Sequence, residues 1–163
     1  MPAHDPLEAL RARAQPIPID AAARQAFAAR MNGLAATRMM GGHFDLGDAA
    51  VVRLRLATVA EHHLGGLDSR AVNGAVIAAM FDAALGIAGT LQLAGHRAGT
   101  IELSIKLMRP AFEAPLEVLA IAVKRTPHLA FTEAELHAAG RLCAIATGIV
   151  AVVSNPKDGD SYW

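Results

Sequence analysis

At 163 residues and 53% hydrophobic, the chain has the size of one domain and ample material for a core. Fifteen basic side chains balance fifteen acidic ones, so no global field exists to draw in nucleic acid or an anionic membrane surface. The single cysteine, Cys143, has no mate and sits in an apolar run, which excludes an internal disulfide and marks a buried structural thiol in a reducing compartment.

The first residues show no basic stretch followed by an apolar one, so no secretory signal is expected and the cytoplasm is the expected location. Asp5-Pro6-Leu7-Glu8 combines a capping residue, a proline at the first helical position and a glutamate three residues after the cap, which starts a helix that stops before Pro16. Asp20 caps a second helix over 21–31, for which Asn32-Gly33 supplies a left-handed stop. Strands are predicted over 37–46 and 49–58, separated by a Gly47-Asp48 turn of hairpin type. In the second of these, Val52, Leu54 and Leu56 alternate with Val51, Arg53 and Arg55.

A loop rich in His and Gly, 62–70, leads into the longest apolar run of the chain, 74–94. Alanine, leucine and sheer length make it a helix, and its apolar residues on nearly every side predict burial all round. The run is long enough to cross a bilayer, but Asp82 at its middle would cost on the order of 3 kcal/mol there, so no membrane is expected. Residues 100–109 then alternate strictly, placing Ile101, Leu103, Ile105 and Leu107 on one face and Thr100, Glu102, Ser104 and Lys106 on the other. Three more strands are predicted over 116–125, 129–137 and 141–153, broken at Pro127 and Ala139-Gly140. The sum is an α+β domain in which an antiparallel sheet of about six strands wraps a central buried helix over 34–153. A helical extension precedes it at 1–33 and a polar, flexible tail follows at 154–163.

Three short motifs stand in order along that domain: Asn73-Gly74 opening the helix, Asp82 eight residues after the glycine, and Thr100-Ile101-Glu102-Leu103-Ser104-Ile105 running on to Arg109-Pro110. Their order and spacing resemble the hotdog-fold acyl-CoA thioesterases of the phenylacetate-pathway and 4-hydroxybenzoyl-CoA kind, over most of 34–153. The resemblance implies a hotdog fold and hydrolysis of a small acyl-CoA or aryl-CoA thioester without a metal or other cofactor. It implies further a site shared between two subunits of a homodimer, with a dimer of dimers, a homotetramer, as the larger assembly. Thr100 matches the family position that carries a hydroxyl near the carboxylate. Many relatives carry His where Asn73 stands, and an Asn or Gln seven residues before the helix glycine, where this chain has Leu67. His62 or His63 would then supply the missing donor from the longer loop.

The chemistry is also arguable from the residues. A thioester carbonyl needs donors where negative charge develops, and the free amides of a helix's first turn are such donors. Gly74 lets a substrate come close to them, although glycine also simply starts helices. Asp82 would act as nucleophile or general base, against the alternative of a structural carboxylate bonded to a neighbouring strand. Asn73 would donate to the carbonyl or cap the helix, Thr100 would orient the attacking water or merely pack, and Arg109 would bind a CoA phosphate or remain a solvated strand end. Gly74 and Asp82 are about 12 Å apart along one helix, too far to serve one carbonyl, so a two-fold dimer that faces Gly74 of one subunit with Asp82 of the other is the simple solution.

Competing chemistries find less support. His62-His63 has no partner at a metal-ligand spacing, Ser69 and Ser104 lack a nucleophile elbow, and Cys143 has no adjacent base. Two alternatives stay open: a hotdog hydratase or dehydratase, although His43-Phe44-Asp45 completes neither of their signatures, and a hotdog that binds acyl-CoA without cleaving it.

Overall fold

The computed structural model describes residues 5–66, 69–93 and 96–154. Two short helices open it, α1 (Pro6–Arg11) and α2 (Ala21–Asn32), each capped as the sequence foretells. The Leu7 amide donates to Asp5 at 3.0 Å, and the Ala23 amide donates to Asp20 at 2.8 Å. At the end of α2 the chain departs from expectation. Gly33 is right-handed at φ −76, and a third helix, α3 (Ala35–Met40), occupies ground expected to be strand. The left-handed stop comes eight residues later, at Gly41 with φ 70. Alanine, arginine and methionine favour helix, and Asn32, instead of ending one, faces the next strand. Its side chain accepts from the Phe44 amide at 2.7 Å and donates to the Phe44 carbonyl at 3.0 Å, standing in for a strand neighbour.

The strands that follow are β1 (Gly42–Asp45) and β2 (Val52–Leu56), then the small hairpin β3 (Leu64–Gly66) and β4 (Ser69–Val72). After the long helix α4 (Gly74–Gln92) come β5 (Arg97–Leu107), β6 (Leu116–Arg125), β7 (Leu129–Ala138) and β8 (Arg141–Ser154). Six of these strands form one antiparallel sheet in the order β1-β2-β6-β7-β8-β5, curved around α4. β6 is buried along most of its length because α4 covers one face and α1 the other, where Leu10 packs with Val51, Leu119 and Ile121. β7 alternates buried and half-buried residues, with Ala130, Thr132, Ala134 and Leu136 turned inward.

α4 is held to the sheet by Ile77, Met80, Phe81, Ala84, Leu85, Ala88 and Leu91, all buried. Burying each of the larger of these side chains contributes about 1.5–3 kcal/mol. The helix passes so close to β8 that a Cβ on Gly89 would lie 2.4 Å from Val150. Burial is one-sided, however, and this corrects the expectation of burial all round. Ala75, Ala79 and Asp82 are exposed, and Ala83, Gly86 and Thr90 are half-buried. At 100° per residue these positions form one stripe, whose small side chains leave a shallow open groove along the helix. The expected end of the helix near Gly95, the position of Leu67 and the tail beyond residue 154 fall outside the described residues. Cys143 is fully buried, as its apolar surroundings foretell.

Candidate active site

The N-terminus of α4 is fastened on three sides. The Asn73 side chain accepts from the Ala75 amide at 2.8 Å, so this residue caps the helix. The Asn73 amide donates to the His63 carbonyl at 2.8 Å, and the Val72 amide donates to the Ala111 carbonyl at 2.8 Å. The amide of Gly74, first residue of the helix, meets no acceptor among the described residues and is available to a ligand.

His63 is spent on this scaffold. Its Nδ1 accepts from the Ala60 amide at 2.9 Å, which leaves Nε2 to carry the proton and donate to the Met40 carbonyl at 3.0 Å. Burial lowers its pKa from the ordinary 6.5, the neighbouring His62 lowers it further, and the bond to Met40 opposes both. Both ring nitrogens of a neutral, 3%-exposed imidazole are therefore engaged, which corrects the expectation that His63 contacts substrate. His62 lies exposed beside it, ring centroids 3.9 Å apart, and keeps that role open.

Beside Gly74 is a cleft of about 310 Å³ whose walls include Ile77, Leu107, Met108, Arg109 and Pro110. Sequence separates Gly74 from Arg109 widely, yet the fold puts them around one hollow. Arg109 remains exposed, with a single long bond of 3.4 Å to the Leu142 carbonyl. Leu107 and Met108 in this wall were not singled out as site residues, although the break in alternation at Arg109-Pro110 marks where β5 ends.

Asp82 lies elsewhere on the same helix. Its apolar neighbours in sequence, Met80 and Phe81, point into the core, while Asp82 itself is exposed on the open groove. No buried charge therefore needs a partner, and the reason for singling it out changes: it is the one ionisable group on an otherwise small, apolar helix face. It and Gly74 are not brought together within one chain.

Thr100 also lies where strict alternation does not put it. β5 pairs with β8 through Thr100–Val150 and Glu102–Ile149, so Ile101 is a bulge and the side-chain phase flips at that point. Ile101 turns outward, 60% exposed, and Thr100 turns toward α4, its hydroxyl 3.2 Å from where a Cβ of Gly86 would stand. Gly86 is one turn beyond Asp82, so the hydroxyl borders the groove that holds the carboxylate. At its other end β5 lays Leu107 3.4 Å from the corresponding point on Gly74. β5 thus runs antiparallel alongside α4, from the level of Gly86 to that of Gly74.

Residues 70–145, which hold β4, α4 and most of the sheet, match the model of the thioesterase superfamily. Over that segment the chain is similar to the superfamily, and its fold is the hotdog. Among solved structures, the hotdog is similar to the PaaI protein from the phenylacetic acid degradation operon of Escherichia coli. That likeness has a TM-score of 0.71 and 17% identity, covering 83% of this chain and 98% of the other. A thioesterase from Haemophilus influenzae superposes equally well, at TM-score 0.71 and 13% identity over 80% of this chain and 90% of that one. A thioesterase-superfamily protein from Shewanella oneidensis gives 0.68 and 18% identity over 83% and 98%. At these identities the likeness is one of fold. No curated protein matches the sequence significantly.

Proposed function

We propose that this hotdog hydrolyses an acyl-CoA or aryl-CoA thioester to the free acid and CoA at a site completed by a second copy of the chain. The course of β5 is the observation that carries the proposal. β5 is one of the two outer strands of the sheet, and among the described residues no strand pairs with its outer edge, which runs alongside the open helix face. If two copies join antiparallel along this edge about a two-fold axis, the Leu107 end of one strand lies opposite the Thr100 end of the other. Gly74 of one copy is thereby drawn toward the Asp82–Gly86 turn of its partner, which closes the gap of about 12 Å that one helix leaves. The same union covers the stripe of Ala75, Ala79 and Ala83.

In such a site the Gly74 amide donates to the thioester oxygen as it gains charge, and Asn73 holds the first turn that aims that amide. Asp82 either takes a proton from attacking water, which Thr100 orients, or attacks the carbonyl carbon itself to give a mixed anhydride that water then cleaves to the free acid, restoring the carboxylate. The C–S bond breaks and CoA leaves as the thiolate, its phosphates near Arg109 and His62. The alternatives of a hydratase and of a binding protein predict no thiol release.

The test is thiol release from a panel of acyl- and aryl-CoA esters, with Asp82→Asn beside the wild type. Asp82→Asn should lower kcat by about a hundredfold or more with the fold intact, since loss of a positioned acid–base or nucleophilic group typically costs that much. Release unchanged by the substitution would remove Asp82 from the mechanism. An active monomer at assay concentration would remove the shared site.

A further inference from the structure

The open groove of α4 continues past Asp82. Gly86 and Thr90 extend it in steps of four residues, and at its far end is a second cavity, of about 400 Å³. Phe27, Met31 and Leu34 from the N-terminal helical segment form one wall, Ile87 and Thr90 the floor, and Val153 at the end of β8 the other side. Leu34 and Val153 stand 46% and 63% exposed at its mouth, large apolar groups with no core to join.

We propose that this cavity receives the acyl chain of the thioester, and that the substrate is a linear acyl-CoA of roughly eight to twelve carbons; the assignment rests on the hydrolase reading above. Three observations converge on that occupant. The volume lies within the range of about 300–1,000 Å³ typical of ligand pockets, and the lining is apolar over most of its area, with Arg30, His96, Arg97 and the Thr90 hydroxyl among the apolar groups. Thr90 in the floor of the cavity lies along the open helix face beyond Asp82, and a chain whose carbonyl is at Asp82 reaches it by passing the Thr100 hydroxyl, 3.2 Å from the Cβ position of Gly86. The lengths also agree. Ile87 and Thr90 lie five and eight residues beyond Asp82, about 7 Å and 12 Å along the axis. With carbon–carbon bonds of about 1.5 Å set in a zigzag, carbons from about the sixth onward enter the cavity and about the tenth reaches Thr90. A ring attached directly at the carbonyl stops short of this space.

The experiment follows kcat/KM across saturated CoA esters from acetyl to palmitoyl, for the wild type, Thr90→Phe, which fills the floor, and Leu34→Trp, which narrows the exposed mouth without touching the core. The wild type should favour decanoyl-CoA over butyryl-CoA at least tenfold, since each buried methylene is worth a gain of about threefold to fourfold. Both variants should cut that ratio at least tenfold. A flat wild-type profile, or a ratio that neither variant changes, overturns the assignment. A changed oligomeric state with an unchanged ratio also overturns it and makes the cavity a contact between copies. If no ester is cleaved, the hydrolase reading fails, and the cavity is judged by binding of a non-hydrolysable decanoyl-CoA thioether. At least tenfold weaker binding in Leu34→Trp supports the chain site; equal binding by all three proteins overturns it.

Discussion

Replacement of Gly89 by alanine tests whether the close seating of α4 on the sheet holds the functional groove in place. The new Cβ would lie 2.4 Å from Cγ2, 2.5 Å from Cβ and 3.1 Å from Cγ1 of Val150. Ordinary carbon contacts begin near 3.5 Å, so helix and strand must part by about 1 Å. Val150 has little freedom to yield, being fully buried, β-branched and on a strand bonded on both sides by β5 and β7. Overpacking of this kind costs about 1–3 kcal/mol, and the severity of the overlap puts this case at the upper end. Alanine regains about 1 kcal/mol in the helix, which leaves a net loss of about 2 kcal/mol. For a chain of this size that is about 4–8 °C in Tm. Urea and thermal unfolding at fixed protein concentration measure it, and the double variant Gly89→Ala/Val150→Ala should recover at least about 1 kcal/mol relative to the sum of the singles. A single variant as stable as the wild type, or strictly additive singles, would refute the close approach.

Gly74→Ala should leave Tm unchanged or higher, because the added Cβ meets only Leu107 at 3.4 Å, yet lower thiol release about tenfold or more by crowding the thioester at the amide; full activity would show that substrate does not approach there. His63 makes stability depend on pH in a known direction. Its pKa is depressed in the folded chain, so below the unfolded value of 6.5 the unfolded state takes up a proton that the native ring refuses. Stability is therefore full above about pH 7 and falls as pH drops through 6.5, and His63→Gln should remove part of the extra loss between about pH 7.5 and 5.5 in urea midpoints; identical slopes in both proteins would refute this. Ala139, at φ 47 in the turn between β7 and β8, strains a residue with a Cβ. Ala139→Gly should raise stability by about 0.5–1 kcal/mol, seen as about 2 °C in Tm, and a loss instead would mean that the turn relaxes without the glycine.

The sheet was legible because β6, β7 and β8 announce themselves through alternation and firm breaks, and α4 through length and alanine content. What escaped was set by partners in space. α3 fills ground that reads as strand, and the start of β1 is fixed instead by Asn32 reaching across to both backbone groups of Phe44, an interaction that no local pattern encodes. Thr100 was assigned to the wrong face because one bulged residue reverses a period-two pattern, and nothing around Ile101 signals a bulge in a run otherwise so regular. Asp82 was singled out for a buried environment that it does not have, since apolar neighbours in sequence are not neighbours on a helix surface. His63 illustrates a further gap: a histidine in a loop reads the same whether its nitrogens serve a ligand or the backbone of Ala60 and Met40. The hollow between α2 and the far end of α4 depends on how two separately coded helices pack, which the chain order alone leaves undefined.

The bulge at Ile101 also bears on how the isolated chain avoids misassembly. A long outer strand such as β5 is a template for any stray β segment, and long flat edges of this sort seed aggregation. Ile101 interrupts the edge, so an intruder finds only the stretch from Glu102 to Leu107 in register, six residues with Glu102 and Lys106 among them. Charged, short edges resist indiscriminate pairing. The irregularity that swings Thr100 toward the helix thereby also keeps newly made chains from recruiting the wrong strand.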